Sequence, residues 1–182
     1  SQYDLSGKVV VLIDVLRATS VICTALGEGI KAVRPVKELS EALDHQSATL
    51  VAAERNGRQV PEADLGNSPL PFLQQQYEGY ELVLTTSNGT KALNQAREAN
   101  SCIVAGSFLN ATSLADHLKT AGRDILLLCA GRHGYHSLED TMLAGYLLAQ
   151  IEPVLHRASD AALSTAALYQ AHADNWPSLL YQ

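Results

Sequence analysis

The sequence has only three cysteines, no excess of positive charge and no long apolar run. Each shortage excludes something. Cys23, Cys102 and Cys129 are isolated and odd in number, with no C-x-x-C pair. Neither a disulfide framework nor a cysteine zinc site is indicated, and reduced thiols in a cytoplasmic protein are the simpler reading. A formal net charge of -6 and a pI of about 5.4 argue against a broad nucleic-acid or anionic-membrane surface. Any anion bound here must therefore be held by local groups. No apolar stretch reaches the roughly 18 residues of a membrane span, and no signal-peptide pattern opens the sequence. The P-loop signature G-x-x-x-x-G-K-S/T is missing, as are repeats and low-complexity tracts. The two N-x-T sequons, at Asn88 and Asn110, would matter only in a secreted protein.

What is present is an alternation of strands and helices along 182 residues, 47% of them hydrophobic, enough for one domain with a core. Lys8–Ile13 (KVVVLI) does not alternate in polarity and predicts a strand buried on both faces. The pattern then predicts helix 19–28, strand 32–36, helix 37–45, strand 49–52, a loop through 61–69, strand 81–84 and helix 88–99. Strand 102–105, helix 110–121, strand 124–129, helix 138–150 and a further helix over 160–173 follow. This spacing predicts an α/β domain: a mostly parallel central sheet with helices on both sides.

In such sheets, ligands sit outside the carboxyl ends of the strands. Five strands here run into polar segments: Asp14–Ser20, Glu54–Gly57, TTSNGT (85–90), Gly106–Asn110 and Cys129–Arg132. They are expected to meet at one rim. In TTSNGT, Asn88 or Ser87 can cap the following helix while Gly89 leaves the backbone uncovered, exposing N–H groups and a helix dipole to an anion. Thr19 or Ser20, and Asn110, can cap their helices towards the same place. Arg17, Arg55 and Arg132 each follow a strand end, and as a trio they suit a multiply charged anion.

Asp14, Glu54, Asp64, Glu139 and Asp140 bring carboxylates to the same rim, where they would repel an anion unless a cation intervenes. Magnesium, which takes one or two carboxylates plus substrate oxygens, would resolve that conflict. Glu139 and Asp140 also fit a plainer role, since Ser137 and Asp140 have the spacing of a capping box. Known phosphatase signatures fail. Tyr135 stands where a cysteine phosphatase loop starting at Cys129 needs arginine, and Leu16 stands where aspartyl-phosphate hydrolases carry a second Asp. Gly27-Glu-Gly29 ends a helix instead of joining strand to helix, and His133 and His136 in a glycine-containing loop are expected to face solvent.

Taken together, IDVLRATS (13–20), AERNG (53–57), ADLGNSP (63–69), TTSNGT (85–90), GSFLNA (106–111), CAG (129–131) and SLED (137–140) resemble the ComB-type 2-phosphosulfolactate phosphatases. The resemblance runs in order over roughly residues 8–150. Ala53 stands where family members tend to have Gly, and Ser87 where Thr is usual; neither change removes a functional group. Family chains usually begin with another short strand and continue past a position like Gln182, so a single trimmed ComB-like domain is expected.

The resemblance implies a three-layer α/β/α fold and a Mg²⁺-dependent hydrolase that turns 2-phosphosulfolactate into sulfolactate and phosphate, a step towards coenzyme M in some archaea. On this reading Asp14, with Glu139 or Asp140, would hold Mg²⁺. Arg17 with Thr85, Thr86, Ser87, Asn88, Gly89 and Thr90 would hold the phosphoryl group. Arg55 or Arg132 would take the sulfonate or carboxylate, and Glu54 or Asp64 would orient the attacking water. Thr19, Ser20, Asn67, Ser68, Ser107 and Asn110 complete the candidate substrate-binding set. Water attack and a phospho-aspartate at Asp14 are both open at this point. A non-catalytic anion- or nucleotide-binding module, or a phosphatase for another phosphorylated hydroxy acid, would use the same rim. The expected partner is a small anionic phosphoester, with no nucleic acid and no membrane, and a homo-oligomer is compatible with a cytoplasmic enzyme.

Overall fold

Val9–Ile13 forms β1, and all five residues are buried, as its unbroken apolar sequence requires. The computed structural model describes residues 6–44, 49–74, 76–89, 93, 102–132 and 134–179. Within them β1 is followed by α1 (Ala18–Gly27), β2 (Ala32–Pro35), α2 (Leu39–Leu43), β3 (Thr49–Arg55), β4 (Arg58–Gln59), a 3₁₀ turn (Leu70–Gln74) and β5 (Glu81–Thr85). β6 (Cys102–Gly106), α3 (Ala111–Thr120), β7 (Ile125–Cys129), α4 (Leu138–Ile151), a short 3₁₀ turn (Glu152–Val154), α5 (Asp160–His172) and α6 (Trp176–Leu179) complete the order.

Two sheets carry the strands. One is all parallel in the order β6-β1-β7, with Ile13 level with Gly106 on one side and Cys129 on the other. The second runs β2-β5-β3-β4, with β2, β5 and β3 parallel and β4 antiparallel to β3. Alternate β1 side chains explain the layers. Val9, Val11 and Ile13 pack with Leu114 and Leu118 of α3 and Leu143 and Leu147 of α4, whereas Val10 faces the opposite way, with Ile103, Leu126 and Leu128. In the second sheet, Ala52, Leu82 and Leu84 pack under Ala18, Val21 and Ala25 of α1, and Val51 and Val83 point to the α2 side with Val36 and Ala42. The result is the expected three-layer α/β/α arrangement, mostly parallel, with helices on both sides.

Two local outcomes differ from the sequence reading. The strand expected over 49–52 continues to Arg55 because Asn56 and Gly57, at φ 54° and 80°, form a two-residue hairpin turn that brings Arg58–Gln59 back against it. Glu54 and Arg55 thus sit in a strand end, not in a loop. The helix expected over 88–99 turns helical at Gly89, and its remainder, apart from Leu93, lies outside the described residues. Among the described residues no helix is long and apolar enough to cross a membrane.

Candidate active site

Asp14 leaves β1 and is fixed at once by its own helix. Thr19 Oγ1 donates to the Asp14 carbonyl at 2.8 Å and accepts from its N–H at 3.1 Å, while Asp14 Oδ1 accepts from Ala18 N–H at 3.3 Å. The expectation that Thr19 or Ser20 caps α1 therefore needs correcting. The cap position is Arg17, without a side-chain cap bond, and Ser20 Oγ donates to the Val15 carbonyl at 2.7 Å. These hydroxyls lock the 14–20 turn, with Asp14 acting as acceptor for the first helical N–H. Asn110 does stand at the N-cap position of α3, but without a side-chain cap bond: its Oδ1 accepts from Ser107 N–H at 2.9 Å and its Nδ2 donates to the Ala105 carbonyl at 2.9 Å. Thr19, Ser20 and Asn110 thus satisfy loop backbone, while Asp14 takes the first helical N–H.

The five polar segments meet in one continuous series of contacts. Ser20 Oγ and Ser107 Oγ lie 3.0 Å apart, joining the segment after β1 to that after β6. Asp140 Oδ1 accepts from Val15 N–H at 2.8 Å and its Oδ2 from Gly131 N–H at 3.1 Å, joining the segments after β1 and β7 to the start of α4. Asp14 Oδ2 lies 2.7 Å from where a Cβ on Gly89 would stand, with Thr86 Oγ1 3.3 Å from the same point. Only glycine lets the backbone of TTSNGT come this close to the carboxylate. Glu54 then ties that segment to the β3–β4 hairpin: its carboxylate accepts from Gly57 N–H, from Ser87 N–H at 3.3 Å and from Ser87 Oγ at 3.2 Å. Asn56 N–H donates to Ser87 Oγ at 3.2 Å.

Of the sequence-derived candidates, Asp14, Thr19, Ser20, Glu54, Thr86, Ser87, Gly89, Ser107, Asn110 and Asp140 are linked by these contacts. Asn88 stands between Ser87 and Gly89, and Thr90 lies outside the described residues. Thr85 is fully buried and donates to the Lys37 carbonyl at 3.2 Å. Asp64 is exposed and accepts from Val51 N–H at 2.9 Å, three residues before Glu54 on β3. At about 3.3 Å per strand residue this holds it roughly 10 Å back from the rim. The parallel bridge of Leu65 to Ala52 directs the following residues towards the level of Glu54, and there Asn67 is 7% exposed, its Oδ1 lacking a hydrogen-bond partner among the described residues. Ser68 Oγ accepts from Leu70 N–H at 3.4 Å.

The arginine trio divides. Arg55 donates from Nη1 to the Glu54 carbonyl at 2.7 Å and from Nη2 to Thr85 Oγ1 at 3.0 Å and the Lys37 carbonyl at 3.4 Å, so it braces the rim from within. Arg17 is half-buried and Arg132 exposed, and neither guanidinium has a hydrogen bond or ion pair among the described residues. The capping box at α4 is half formed. Ser137 Oγ accepts from Asp140 N–H, but the Asp140 carboxylate reaches away to Val15 and Gly131. His136 Nε2 lies 2.9 Å from Thr141 Oγ1, and His133 lies outside the described residues.

Electrostatically the site is a crowd of acids. Burial, then the charges of Asp140, Glu54 and Glu139, push the Asp14 carboxyl up to about 6 against the helping N–H of Ala18. Burial also pushes Asp140 up to about 6, despite the N–H groups of Val15 and Gly131. Among the described residues the ion pairs are Lys8–Asp124, Lys31–Glu81, Lys37–Glu38 and Lys119–Asp116, and none reaches these acids. Buried like charges without a counter-ion fit a cation. Among the described residues no three His, Cys, Asp or Glu side chains gather into a metal-holding group.

Comparison with known proteins identifies the family. The family model described as 2-phosphosulpholactate phosphatase matches residues 1–182. A Thermotoga petrophila protein named "Probable 2-phosphosulfolactate phosphatase" is 45% identical over 143 residues, covering 78% of this chain and 62% of its own. Proteins of the same name from Caldanaerobacter subterraneus subsp. tengcongensis and Clostridium perfringens are 37% and 38% identical, covering 94% and 81% of this chain and 73% and 62% of theirs. The chain thus spans 62% of the length of the Thermotoga relative. A whole-length family match and a relative 37% identical with most of both chains covered leave one conclusion: the chain belongs to the 2-phosphosulpholactate phosphatase family.

Proposed function

We propose that the protein is a Mg²⁺-dependent phosphomonoester hydrolase that converts 2-phosphosulfolactate and water to sulfolactate and phosphate. Family membership supports the reaction class and substrate. The observation that carries the reading is the meeting of Asp14 Oδ2 with the Gly89 backbone and Thr86, which joins a carboxylate to a glycine-opened, hydroxyl-rich segment. In the reaction the oxygen of water adds to phosphorus, the ester P–O bond breaks, and the leaving 2-oxygen of sulfolactate takes up a proton from solvent. Arg17 and the backbone N–H groups near Gly89 hold the phosphoryl oxygens as their charge shifts. Glu54, joined to the same segment through Ser87, takes the proton of the attacking water; Asp64, spent on Val51, does not. Asp14 with Glu139 would hold Mg²⁺, which supplies charge neutralisation at the phosphoryl oxygens. The three free thiols suit a reducing, cytoplasmic setting.

The test is phosphate release by purified protein with Mg²⁺ from a panel of small phosphomonoesters. We expect the highest kcat/KM for 2-phosphosulfolactate, loss of turnover with chelator, and a fall on the order of 10²-fold or more in Asp14→Asn. No release from any ester, or release indifferent to chelator, would overturn the proposal and leave an anion-binding module.

A further inference from the structure

Asp140 is 2% exposed, and its carboxylate leaves its own helix to accept one N–H from each of two other segments, Val15 at 2.8 Å and Gly131 at 3.1 Å. Capping alone does not explain this placement, because both carboxylate oxygens are engaged by N–H groups outside α4. The two segments run side by side, with Ala130 N–H donating to the Ile13 carbonyl at 2.8 Å. Each then presents an arginine whose guanidinium has no partner among the described residues: Arg17, two residues after Val15, and Arg132, one residue after Gly131. Arg55, the rival for a second anionic group, has spent its guanidinium on Glu54, Thr85 and Lys37.

We propose that Asp140 is a positioning residue that sets Arg132 at a fixed spacing from Arg17, and that Arg132 takes the carboxylate or sulfonate of a substrate whose phosphoryl group lies at Asp14 and Gly89. The inference rests on the phosphatase reading above. It makes the Asp140 clasp a determinant of selectivity: an ester with acidic groups beyond its phosphate engages both arginines, whereas phenyl phosphate engages only the phosphoryl side.

The readout is the ratio of kcat/KM for 2-phosphosulfolactate over that for phenyl phosphate, in the presence of Mg²⁺. Losing one charge-assisted contact should lower this ratio about tenfold or more in Arg132→Ala, mainly through KM of the acidic substrate. Asp140→Asn, which forfeits one acceptor, and Asp140→Glu, which keeps the charge but lengthens the clasp, should each lower it as well. Adding either to Arg132→Ala should lower it by no more than about twofold further, since Asp140 acts through Arg132. Two Asp140 variants guard against one that fails to fold, which circular dichroism detects. An unmoved ratio in Arg132→Ala, or losses that multiply in the double variants, overturns the inference. A wild-type protein that hydrolyses neither ester ends the phosphatase reading itself.

Discussion

Gly89→Ala adds a single methyl group at the point where the TTSNGT segment touches Asp14. Its Cβ would stand 2.7 Å from Asp14 Oδ2 and 2.8 Å from Ala18 Cβ. Ordinary non-bonded contacts lie at about 3.5–4.0 Å, so both gaps must open by roughly 1 Å. Ala18 Cβ is part of the buried first turn of α1 and has no rotamer to yield. The Asp14 carboxylate or the backbone around Gly89 must therefore move. Overpacking of this kind costs about 1–3 kcal/mol, and alanine's advantage over glycine in helical backbone offsets about 1 kcal/mol of it. The expected net destabilisation is thus modest, ~0–2 kcal/mol. A reacting group displaced by about 1 Å, however, loses on the order of 10²-fold in rate.

Activity should accordingly fall far more than stability. Gly27→Ala is the matched control: Gly27 ends α1, and a Cβ there would meet nothing within 4 Å. It should raise stability by up to about 1 kcal/mol and leave kcat/KM unchanged. Thermal melts and phosphate-release kinetics on both variants decide the matter. If Gly89→Ala retains kcat/KM within about threefold of wild type, the Asp14–Gly89 contact is not where the chemistry occurs.

Three further outcomes follow from the same structure. Asp14 and Asp140, both raised from 3.8 to about 6, favour the fold when protonated, so the stability they confer is full below pH 3.8 and is lost as pH rises through about 6. At 1.36 kcal/mol per unit this amounts to about 3 kcal/mol for one acid and less than twice that for both, since Asp140 is part of what raises Asp14. Metal-free protein should melt higher at pH 5 than at pH 7.5, with Mg²⁺ narrowing the gap; a flat metal-free profile would refute the crowding argument. Ser137→Ala removes the acceptor for Asp140 N–H at the start of α4 and should cost about 1 kcal/mol in urea titration. Leu147→Ala empties a fully buried site among Val9, Val11 and Leu114 and should cost about 2–5 kcal/mol, with KM unchanged in the protein that remains folded.

The buried strand β1 was legible because it is continuously apolar, and apolar continuity is a local property. The convergence of polar segments was legible too, since parallel strands all present their carboxyl ends to one side. What the sequence concealed were choices between equally polar partners. Thr19, Ser20 and Asn110 all qualify as helix caps by type, yet each finds a nearer carbonyl or N–H in its own turn. Nothing local says that Arg55 will bond to Thr85, thirty positions on. Nor does it say that Asp140 will bond to Val15, 125 positions back. The Asn56-Gly57 hairpin was different: Asn-Gly between Arg55 and Arg58 is a strong turn signal, and its left-handed pair could have been anticipated.

The two sheets give the site its character. β1, β6 and β7 belong to one sheet, β3 and β5 to the other, and each sheet is welded internally by its own ladder. Between them the rim is joined by something slighter: Gly89, at the end of the segment that follows β5, resting on Asp14, which follows β1. α1 spans the same junction, rising from Asp14 and burying Val21 and Ala25 against Leu82 and Leu84 of the second sheet. A phosphoryl group placed at Asp14 and Gly89 would therefore touch both sheets at once, while Arg132 belongs to the first sheet alone. Binding energy from the phosphoryl end would tighten the junction, and binding energy from the acidic tail would act only on one side of it. That asymmetry is why a methyl group at residue 89 should cost rate for every ester, whereas a change at residue 132 should cost only those esters that carry a second acid.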